Sequence, residues 1–450
     1  MGDKGDGDTG FDDTRKKEPQ EVESAVEDPW LLPWGERGLV PGFWDYVASH
    51  YGEEDAVEAA HEGVELTEYL LADALAIGAT DIHIDPRDNG TMVRLRLDGV
   101  LKDTVLLDAQ LALILGNQVK ILAEINPLPA FGAADGHFFM VVSETSLNVR
   151  VTVASVMRGD KLSMRLLVQP EESHDLTALG MQEDDLQRVE RCRRGRAGIM
   201  AVAGPIGSGK TTTLYGLIRE LDTATGNIVT IEDPVETEIK GINQMQVDEK
   251  QGMTFPEGLK AMLRLDPDFL VLGEIREPES ARLAVDAVIS GRRLLCTLHS
   301  RDAVATVTTL RNFGLSSREI ATNLVLVISQ RLLRRLCGQC ARREAPTREE
   351  QEWYEWVGEE PPAEVSHAVG CEECHHSGYR GRQGIFEIWV LNREDVGAII
   401  DGADEQELRR RLLGRGHRFL LTEGLQRIAD GVTTVDEIAN MGGYELGMES

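Results

Sequence analysis

A glycine-rich run that ends in a lysine and a threonine carries the clearest chemical signal in this sequence. Residues 204–211 read GPIGSGKT, which matches G-x-x-x-x-G-K-[ST], the phosphate-binding loop. The apolar run Ile199–Ala203 precedes the loop. Residues that share one face of a helix follow it, namely Leu214, Leu217, Ile218 and Leu221. A strand, a loop and a helix in this order surround a polyphosphate with backbone N–H groups, so the run predicts a nucleoside triphosphate site.

Individual roles within this loop follow from its chemistry. Lys210 is predicted to reach the β- and γ-phosphates, and Thr211 is predicted to ligate Mg²⁺. The loop residues predicted to bind the nucleotide are Gly204, Pro205, Ile206, Gly207, Ser208, Gly209, Lys210, Thr211 and Thr212.

Three apolar runs after the loop each end in polar residues. Glu232 lies in TIEDPVE, Glu274 in LVLGEIR and His299 in LCTLHS. A phosphate-loop enzyme needs a carboxylate to hold Mg²⁺ and a group that orients water, and the two glutamates are the best-placed candidates. His299 could hydrogen-bond the γ-phosphate. The plainer alternatives are solvated strand ends for the glutamates and a structural histidine for His299.

The cysteines divide into two close pairs and two single residues. Cys337-x-x-Cys340 and Cys371-x-x-Cys374 supply four thiolates, the number that a tetrahedral Zn²⁺ requires. This pattern predicts a structural zinc site, and the alternative is four reduced cysteines without metal.

Composition sets the class of protein. A length of 450 residues allows two to three domains. The formal net charge of -30 argues against general nucleic-acid binding and against direct attraction to anionic lipid. The polar, acidic N-terminus and the absence of a long apolar run favour a cytoplasmic protein.

The first half of the chain is predicted to contain a small α+β domain. The predicted elements are a helix from about Val64, strands Asp81–Pro86 and Val93–Asp98, a helix near Leu111–Ile125, and strands Asn148–Val153 and Leu162–Leu167. Period two places Arg94 and Arg96 on the same face of their strand.

The second half alternates apolar strands with helices. The predicted strands are Ile228–Ile231, Phe269–Leu272 and Leu294–Leu298, and the predicted helices are Glu257–Arg264, Glu279–Ser290 and Ser317–Leu336. This alternation favours a mostly parallel sheet with helices on both sides, so the ligand is expected at the carboxyl ends of the strands.

These patterns predict seven regions along the chain. They are a disordered acidic tail (1–28), a short N-terminal segment (29–62), the small α+β domain (63–170), a linker (171–184), the phosphate-loop core (185–336), a zinc-binding module (337–390) and a helical C-terminal region (391–450). The aromatic stretch Pro29–Trp34 is expected either to pack on the next domain or to act as a docking peptide.

The order of motifs resembles that of the type II secretion and type IV pilus assembly ATPases, from about residue 64 to about residue 440. The shared motifs are DIHIDP from Asp81, VRLRLDGVL from Val93, GPIGSGKTTTLY from Gly204, TIEDPVE from Thr230, DPDFLVLGEIRE from Asp266, TLHS from Thr297, QRLLRRLC from Gln330, GCEEC from Gly370 and GYRGRQGIFE from Gly378. The resemblance implies an α/β fold: a RecA-like ATPase domain with a parallel-rich sheet, preceded by a small PAS-like α+β domain and carrying a tetracysteine zinc module.

The resemblance also implies residue roles. Glu232 corresponds to the glutamate that polarises the attacking water, and Glu274 to the Walker B carboxylate. Because Gly273 occupies the place of an aspartate in many other phosphate-loop enzymes, Glu274 is expected to hold Mg²⁺ through water. Lys210, His299 and Arg276 complete the expected catalytic set. Arg94 and Arg96 resemble family arginines near the nucleotide or the subunit boundary, the alternative being a solvated strand face.

This sequence departs from the family where arginines are usual. Phe131, His137 and Asn117 stand at three positions where basic residues are usual. If those arginines complete a neighbouring subunit's site, either the transition-state charge is met by other residues, namely Arg94, Arg96, Arg150 or Arg276, or the rate is lower.

The function implied is that of a Mg²⁺-dependent, ATP-hydrolysing homohexamer that powers pilus or pseudopilus assembly. The implied partners are an inner-membrane platform protein and assembly subunits, with the protein peripheral at the inner face of the membrane and with no nucleic acid. The alternative is an ATP-binding assembly or regulatory subunit with weak hydrolysis, which the missing arginines motivate.

Overall fold

The computed structural model of the chain describes residues 40–43, 65–128, 132–168, 175–195, 197–221 and 226–441. The predicted acidic tail and the aromatic stretch Pro29–Trp34 lie outside these residues. Of the predicted segment 29–62, only 40–43 are included, and of the linker 171–184, only 175–184.

The first group of elements forms a six-stranded antiparallel sheet with two helices. In chain order these are α1 (Glu65–Ala76), β1 (Asp81–Arg87), β2 (Gly90–Leu97), β3 (Val100–Leu107), α2 (Ala109–Leu122), β4 (Ala133–Val142), β5 (Thr145–Val156) and β6 (Gly159–Val168). The strand order is β3-β2-β1-β6-β5-β4. Alternate strand residues such as Ile82, Leu95 and Val149 form one core with Leu70 of α1 and Leu115 of α2. The helices therefore cover one face of the sheet.

The other face of this sheet carries a row of charged side chains. The strand register aligns five neighbouring residues, one from each of β2, β1, β6, β5 and β4: Arg96, Asp81, Arg165, Arg150 and His137. Because side chains alternate between faces, the cations of this row share one surface.

The second group of elements forms a seven-stranded mixed sheet. Its strands are β7 (Gly198–Ala203), β8 (Ile228–Glu232), β9 (Asn243–Gln246), β10 (Phe269–Leu272), β11 (Arg293–Leu298), β12 (Leu324–Leu336) and β15 (Tyr379–Val390). The order is β15-β12-β7-β11-β10-β8-β9, and all pairs are parallel except β12 with β15. The predicted parallel-rich α/β sheet is confirmed.

Helices cover both faces of this sheet. They are α3 (Glu183–Arg193), α4 (Lys210–Arg219), α5 (Phe255–Met262), α6 (Pro278–Ile289), α7 (Ala305–Asn312) and α8 (Ser317–Asn323). Ile199 and Ala201 of β7 belong to a core shared with α5 and α6, whereas Met200 and Val202 belong to a second core shared with α3 and α4. Burial on both faces explains why β7 is a continuous apolar run.

One predicted helix, Ser317–Leu336, is wrong beyond its first two turns. The helix α8 ends at Asn323, and Leu324–Leu336 is the strand β12. This strand lies between β7 and β15, and its first eight residues are buried. A strand that is apolar on both faces shows no period of two, so its spacing cannot be told from that of a buried helix.

The remaining elements follow β12. They are β13 (Arg342–Glu344), α9 (Arg348–Val357), β14 (Val365–His367), α10 (Arg393–Ile400), α11 (Glu405–Leu413), α12 (Leu420–Ala429) and α13 (Val435–Ala439). The helical character predicted after Asn392 is present. The strand β15, which the sequence reading placed with the cysteine module, pairs with β12 in the main sheet. Across the described ranges, no helix combines the length and the apolar character needed to cross a bilayer.

Candidate functional site

The phosphate loop connects the centre of the second sheet to a helix. It follows β7 and ends at Gly209, the residue before α4. Gly207 and Gly209 have φ angles of 79° and 84°, a region that favours glycine. At Gly204 an added Cβ would lie 2.3 Å from Ser208 Oγ and 2.8 Å from the carbonyl oxygen of Gln330. The predicted glycines are therefore required by the shape of the loop.

Lys210 is held by its own loop. Its Nζ donates to the carbonyl oxygens of Gly204 (2.9 Å) and Pro205 (3.0 Å), and it lies 3.2 Å from His299 Nδ1. Burial lowers the pKa of Lys210 to about 8, although the carboxylate of Glu274 acts in the opposite direction. Thr211 and Thr212 are half-buried in the first turn of α4.

The carboxyl ends of β10 and β11 bring two predicted residues into contact. His299 Nε2 lies 2.6 Å from Glu274 Oε1, and Arg276 Nε donates to Glu274 Oε2 at 2.7 Å. Because the Lys210 ammonium can only donate, Nδ1 of His299 is the acceptor of that contact, while Nε2 lies against Glu274 Oε1. Lys210, His299, Glu274 and Arg276 therefore form one continuous polar chain beside the phosphate loop.

Glu232 lies at the end of the neighbouring strand β8 in a different environment. Its carboxylate is buried and accepts hydrogen bonds from Tyr215 Oη (2.5 Å), Thr230 Oγ1 (2.6 Å) and Gln244 Nε2 (3.1 Å). Asp233, the next residue, pairs with Arg276, which also contacts Glu274, and the Glu232 side chain is held by donors that the sequence did not single out. No spacing in the sequence marks Tyr215, because its contact with Glu232 depends on how α4 packs against β8.

Gly273 sits where backbones approach closely. An added Cβ there would lie 3.1 Å from the Cα of Glu232 and 3.3 Å from the carbonyl oxygen of Ile231. This packing leaves little room for a side chain at the position of an aspartate in many other phosphate-loop enzymes.

The two predicted arginines of β2 are paired within the first sheet. Arg94 Nε lies 2.7 Å from Asp103, and Arg96 Nε lies 3.4 Å from Asp81. No contact described for either of them joins it to the phosphate loop. Their predicted role at the nucleotide stays a prediction.

Arg150 of β5 lies beside the acidic turn that follows β8. Burial lowers the pKa of Arg150, and the carboxylates of Glu236 and Asp233 oppose that effect. Burial raises the pKa of Glu236, and Arg150 opposes that shift in turn. The Nη2 atom of Arg150 is buried without a hydrogen-bond partner within the described part of the chain. A cation of the first sheet thus lies near the acidic turn of the second sheet with an unused donor.

The four paired cysteines converge on one point. Their sulfur atoms all lie within 4.8 Å of one another, and three pairs are separated by 3.8 Å: Cys337–Cys371, Cys340–Cys374 and Cys371–Cys374. A tetrahedron with Zn–S bonds of about 2.3 Å has sulfur separations of about 3.8 Å. Backbone N–H groups of Gly370 and Gly378 donate to the sulfurs of Cys340 and Cys374. The donor set and its spacing fit a zinc ion.

Together the fold and the site define an α/β protein with a phosphate-binding loop at the carboxyl edge of a mixed sheet and with acidic strand ends beside it. A model of one known protein family matches most of the chain. The sequence model described as Type II/IV secretion system protein matches residues 58–440, so the chain belongs to that family.

Several curated relatives are similar to this chain over most of its length. Type II secretion system protein HxcR of Pseudomonas aeruginosa is 37% identical over 375 residues, which is 83% of this chain and 76% of the relative. Type II secretion system protein E of Dickeya dadantii is 36% identical, covering 87% and 76%. Type II secretion system ATPase E of Vibrio cholerae is 34% identical, covering 86% and 76%.

Solved structures share the fold. The Legionella pneumophila ATPase DotB aligns with a TM-score of 0.62 at 19% identity, over 84% of this chain and 95% of that one. The pilus retraction motor PilT with bound ADP aligns with a TM-score of 0.56 at 22% identity, over 83% and 96%.

Proposed function

We propose that the protein is a Mg²⁺-dependent ATPase with a RecA-like core that works as a homohexamer and powers pilus or pseudopilus assembly. Membership of the secretion family and a fold shared with ATPases support this proposal. The observation that carries it is the polar chain of Lys210, His299, Glu274 and Arg276 beside a complete phosphate loop.

In this proposal the loop and Lys210 bind the phosphates. The Nζ of Lys210 leaves the carbonyl oxygens of Gly204 and Pro205 and turns to phosphate oxygens. His299, which then loses its contact with Lys210, is free to hydrogen-bond the γ-phosphate. Binding of ATP and rearrangement of this polar chain of side chains are therefore one event.

Two side chains have the oxygen donors that Mg²⁺ prefers. The hydroxyl of Thr211 would hold the ion directly, and the carboxylate of Glu274 would hold it through water. When bound, Mg²⁺ neutralises charge on the β- and γ-phosphates. Glu232 orients the attacking water, and Arg276 and Arg150 meet the charge that develops on the transferred phosphoryl group.

The relatives support the proposed cellular role. Three of them are type II secretion system proteins, and one structural neighbour is a pilus retraction motor. We place this protein at the cytoplasmic face of a membrane, where it would act on a platform protein and assembly subunits without nucleic acid. The cysteine cluster would hold a structural zinc.

The experiment measures mass and phosphate release on the same sample. Mass photometry with Mg²⁺ and ATP is expected to show six chains of 49.7 kDa each, and that sample is expected to release phosphate. Glu232→Gln is expected to assemble equally while losing at least about 100-fold in turnover. Tight ATP binding with only a trace of hydrolysis in the native protein would favour the rival, a nucleotide-binding assembly subunit.

A further inference from the structure

We propose that Tyr215 is the positioning residue for Glu232 in hydrolysis, through the hydrogen bond from its hydroxyl to the glutamate carboxylate. The inference rests on the proposed function, because it assumes that Glu232 orients the attacking water. The inference adds Tyr215 to that site. It also gives the helix α4, which follows the phosphate loop, a way to act on the reacting water.

The first observation is the way in which the Glu232 carboxylate is held. Tyr215 Oη donates to Oε2 at 2.5 Å, while Thr230 Oγ1 and Gln244 Nε2 donate to Oε1 at 2.6 and 3.1 Å. Glu232 is 3% exposed and Tyr215 is 6% exposed. Oε2 therefore has a single described donor, the phenol, whereas Oε1 has two.

The second observation is that the phenol is itself fixed. Its oxygen accepts hydrogen bonds from the backbone N–H groups of Glu236 (3.1 Å) and Thr237 (3.4 Å). With its acceptor positions occupied, the hydroxyl can only donate toward Glu232. Burial and the charge of Glu232 hold the pKa of Tyr215 well above its ordinary value, so the phenol stays a donor.

The third observation is where Tyr215 lies along α4. It follows Thr211 by one helical turn, and α4 begins at Lys210. One rigid helix therefore carries the phosphate-binding lysine, the proposed Mg²⁺ ligand and the hydroxyl on Glu232. A shift of α4 when phosphates bind would be passed directly to the carboxylate.

Other charged groups surround this pair. Glu236 follows β8 and interacts electrostatically with Glu232 and with two cations of the first sheet, Arg150 and Arg165. Replacing Tyr215 by phenylalanine removes none of these charges, but it also removes the acceptor of the Glu236 and Thr237 backbone N–H groups.

The test is steady-state phosphate release by the full-length assembled protein at saturating Mg²⁺-ATP, from about pH 5.5 to pH 9. Tyr215→Phe is expected to lower kcat about tenfold while KM stays within about twofold, because the hydroxyl does not touch the nucleotide. The acid limb of the kcat profile is expected to move to higher pH when the carboxylate loses this donor.

A control and a second variant accompany this measurement. Tyr379→Phe removes another buried hydroxyl, which contacts Thr434 Oγ1 at 2.9 Å, and it is expected to leave the profile unchanged. A ring-fluorinated tyrosine at position 215 keeps the shape and donates more strongly, so it should move the acid limb down. That variant keeps the proposal testable if Tyr215→Phe does not fold.

The outcomes separate this inference from the proposed function. If Glu232→Gln retains native turnover, Glu232 does not orient the water, and the role of Tyr215 fails with it. If Glu232→Gln is inactive while Tyr215→Phe keeps both the native kcat and the native acid limb, only the positioning role is overturned.

Discussion

Lys210 shows how the site prepares for a ligand at the scale of one residue. Its ammonium is bound to two carbonyl oxygens of its own loop and to His299. Incoming phosphate oxygens would replace those carbonyls with charged acceptors, which form stronger hydrogen bonds. Lys210 is therefore partly desolvated and lies within reach of the expected position of the phosphates.

The affinity for ATP is predicted to fall as the pH rises above about 8. Burial lowers the pKa of free Lys210 to about 8, whereas bound phosphate would favour the protonated form. The dissociation constant should therefore be flat at lower pH and rise by up to tenfold per pH unit above about pH 8. Titration with a non-hydrolysable ATP analogue measures this. Lys210→Arg, which stays charged, should give a flat profile, and an equal slope in that variant would contradict the explanation.

Arg150 is predicted to matter more for turnover than Arg94. Arg150 Nη2 is buried without a described partner near Glu236, whereas Arg94 is paired with Asp103 and Asp85. Arg150→Ala should lower kcat at least about tenfold, because an arginine finger contributes more than that to kcat in other phosphate-loop enzymes. Phosphate release under saturating ATP measures it. Arg158→Ala, an exposed ion-paired arginine, is the control, and a larger loss for Arg94→Ala would reverse this ranking.

At this scale the sequence predicted the loop and the strand-end residues but not their supports. A motif identifies Lys210, Glu232 and Glu274 because the chemistry needs those types at those places. Apart from Thr230 of the same strand, the donors on Glu232 come from α4 and β9, and that pairing depends on packing rather than on spacing along the chain. The same holds for Arg150, because period two predicts a polar face without saying which of its cations meets the other sheet.

Parallel strands explain how elements assemble the site. The strands β7, β11, β10 and β8 are neighbours, so their carboxyl ends lie on one edge. The Ser317–Leu336 segment shows the limit of reading elements from sequence. Its buried strand could be distinguished from a helix only by its neighbours β7 and β15, which are distant in sequence.

Gly136 is predicted to be needed where β4 passes the end of α2. A Cβ added there would lie 2.1 Å from the carbonyl oxygen of Ala123. Because backbone cannot move away freely, Gly136→Ala should lower the free energy of unfolding by about 1–3 kcal/mol. Calorimetry measures this change in the free energy of unfolding. Gly397→Ala, in α10 with nothing within 4 Å, should be neutral or stabilising, and equal effects of the two changes would argue against the contact.

Zinc removal is predicted to unfold the cysteine cluster while leaving the phosphate loop intact. Four thiolates at tetrahedral spacing bind zinc strongly, and that binding energy is folding energy. Elemental analysis should find one zinc per chain, and Cys371→Ser should lose the metal and lower the first thermal transition. Cys192→Ser should change neither, and a metal-free native protein with an unchanged transition would refute the site.

At the scale of the whole molecule, the first sheet is tied to the cysteine cluster as well as to the second sheet. Lys102 Nζ donates to the carbonyl oxygen of His375 (2.8 Å), and Asp98 accepts from the backbone N–H of Gly381 (3.0 Å). These contacts join the β2–β3 hairpin to residues near the cysteines. Pairs so distant in sequence could not be predicted from one sequence, although the separate parts could.

The most direct measurement of the central claim is Mg²⁺-dependent phosphate release by the full-length protein and by Lys210→Ala. We expect the native protein to release phosphate only in the presence of Mg²⁺. We expect Lys210→Ala to release none while its circular dichroism spectrum shows unchanged folding. An unchanged steady-state rate in Lys210→Ala would contradict hydrolysis at this loop.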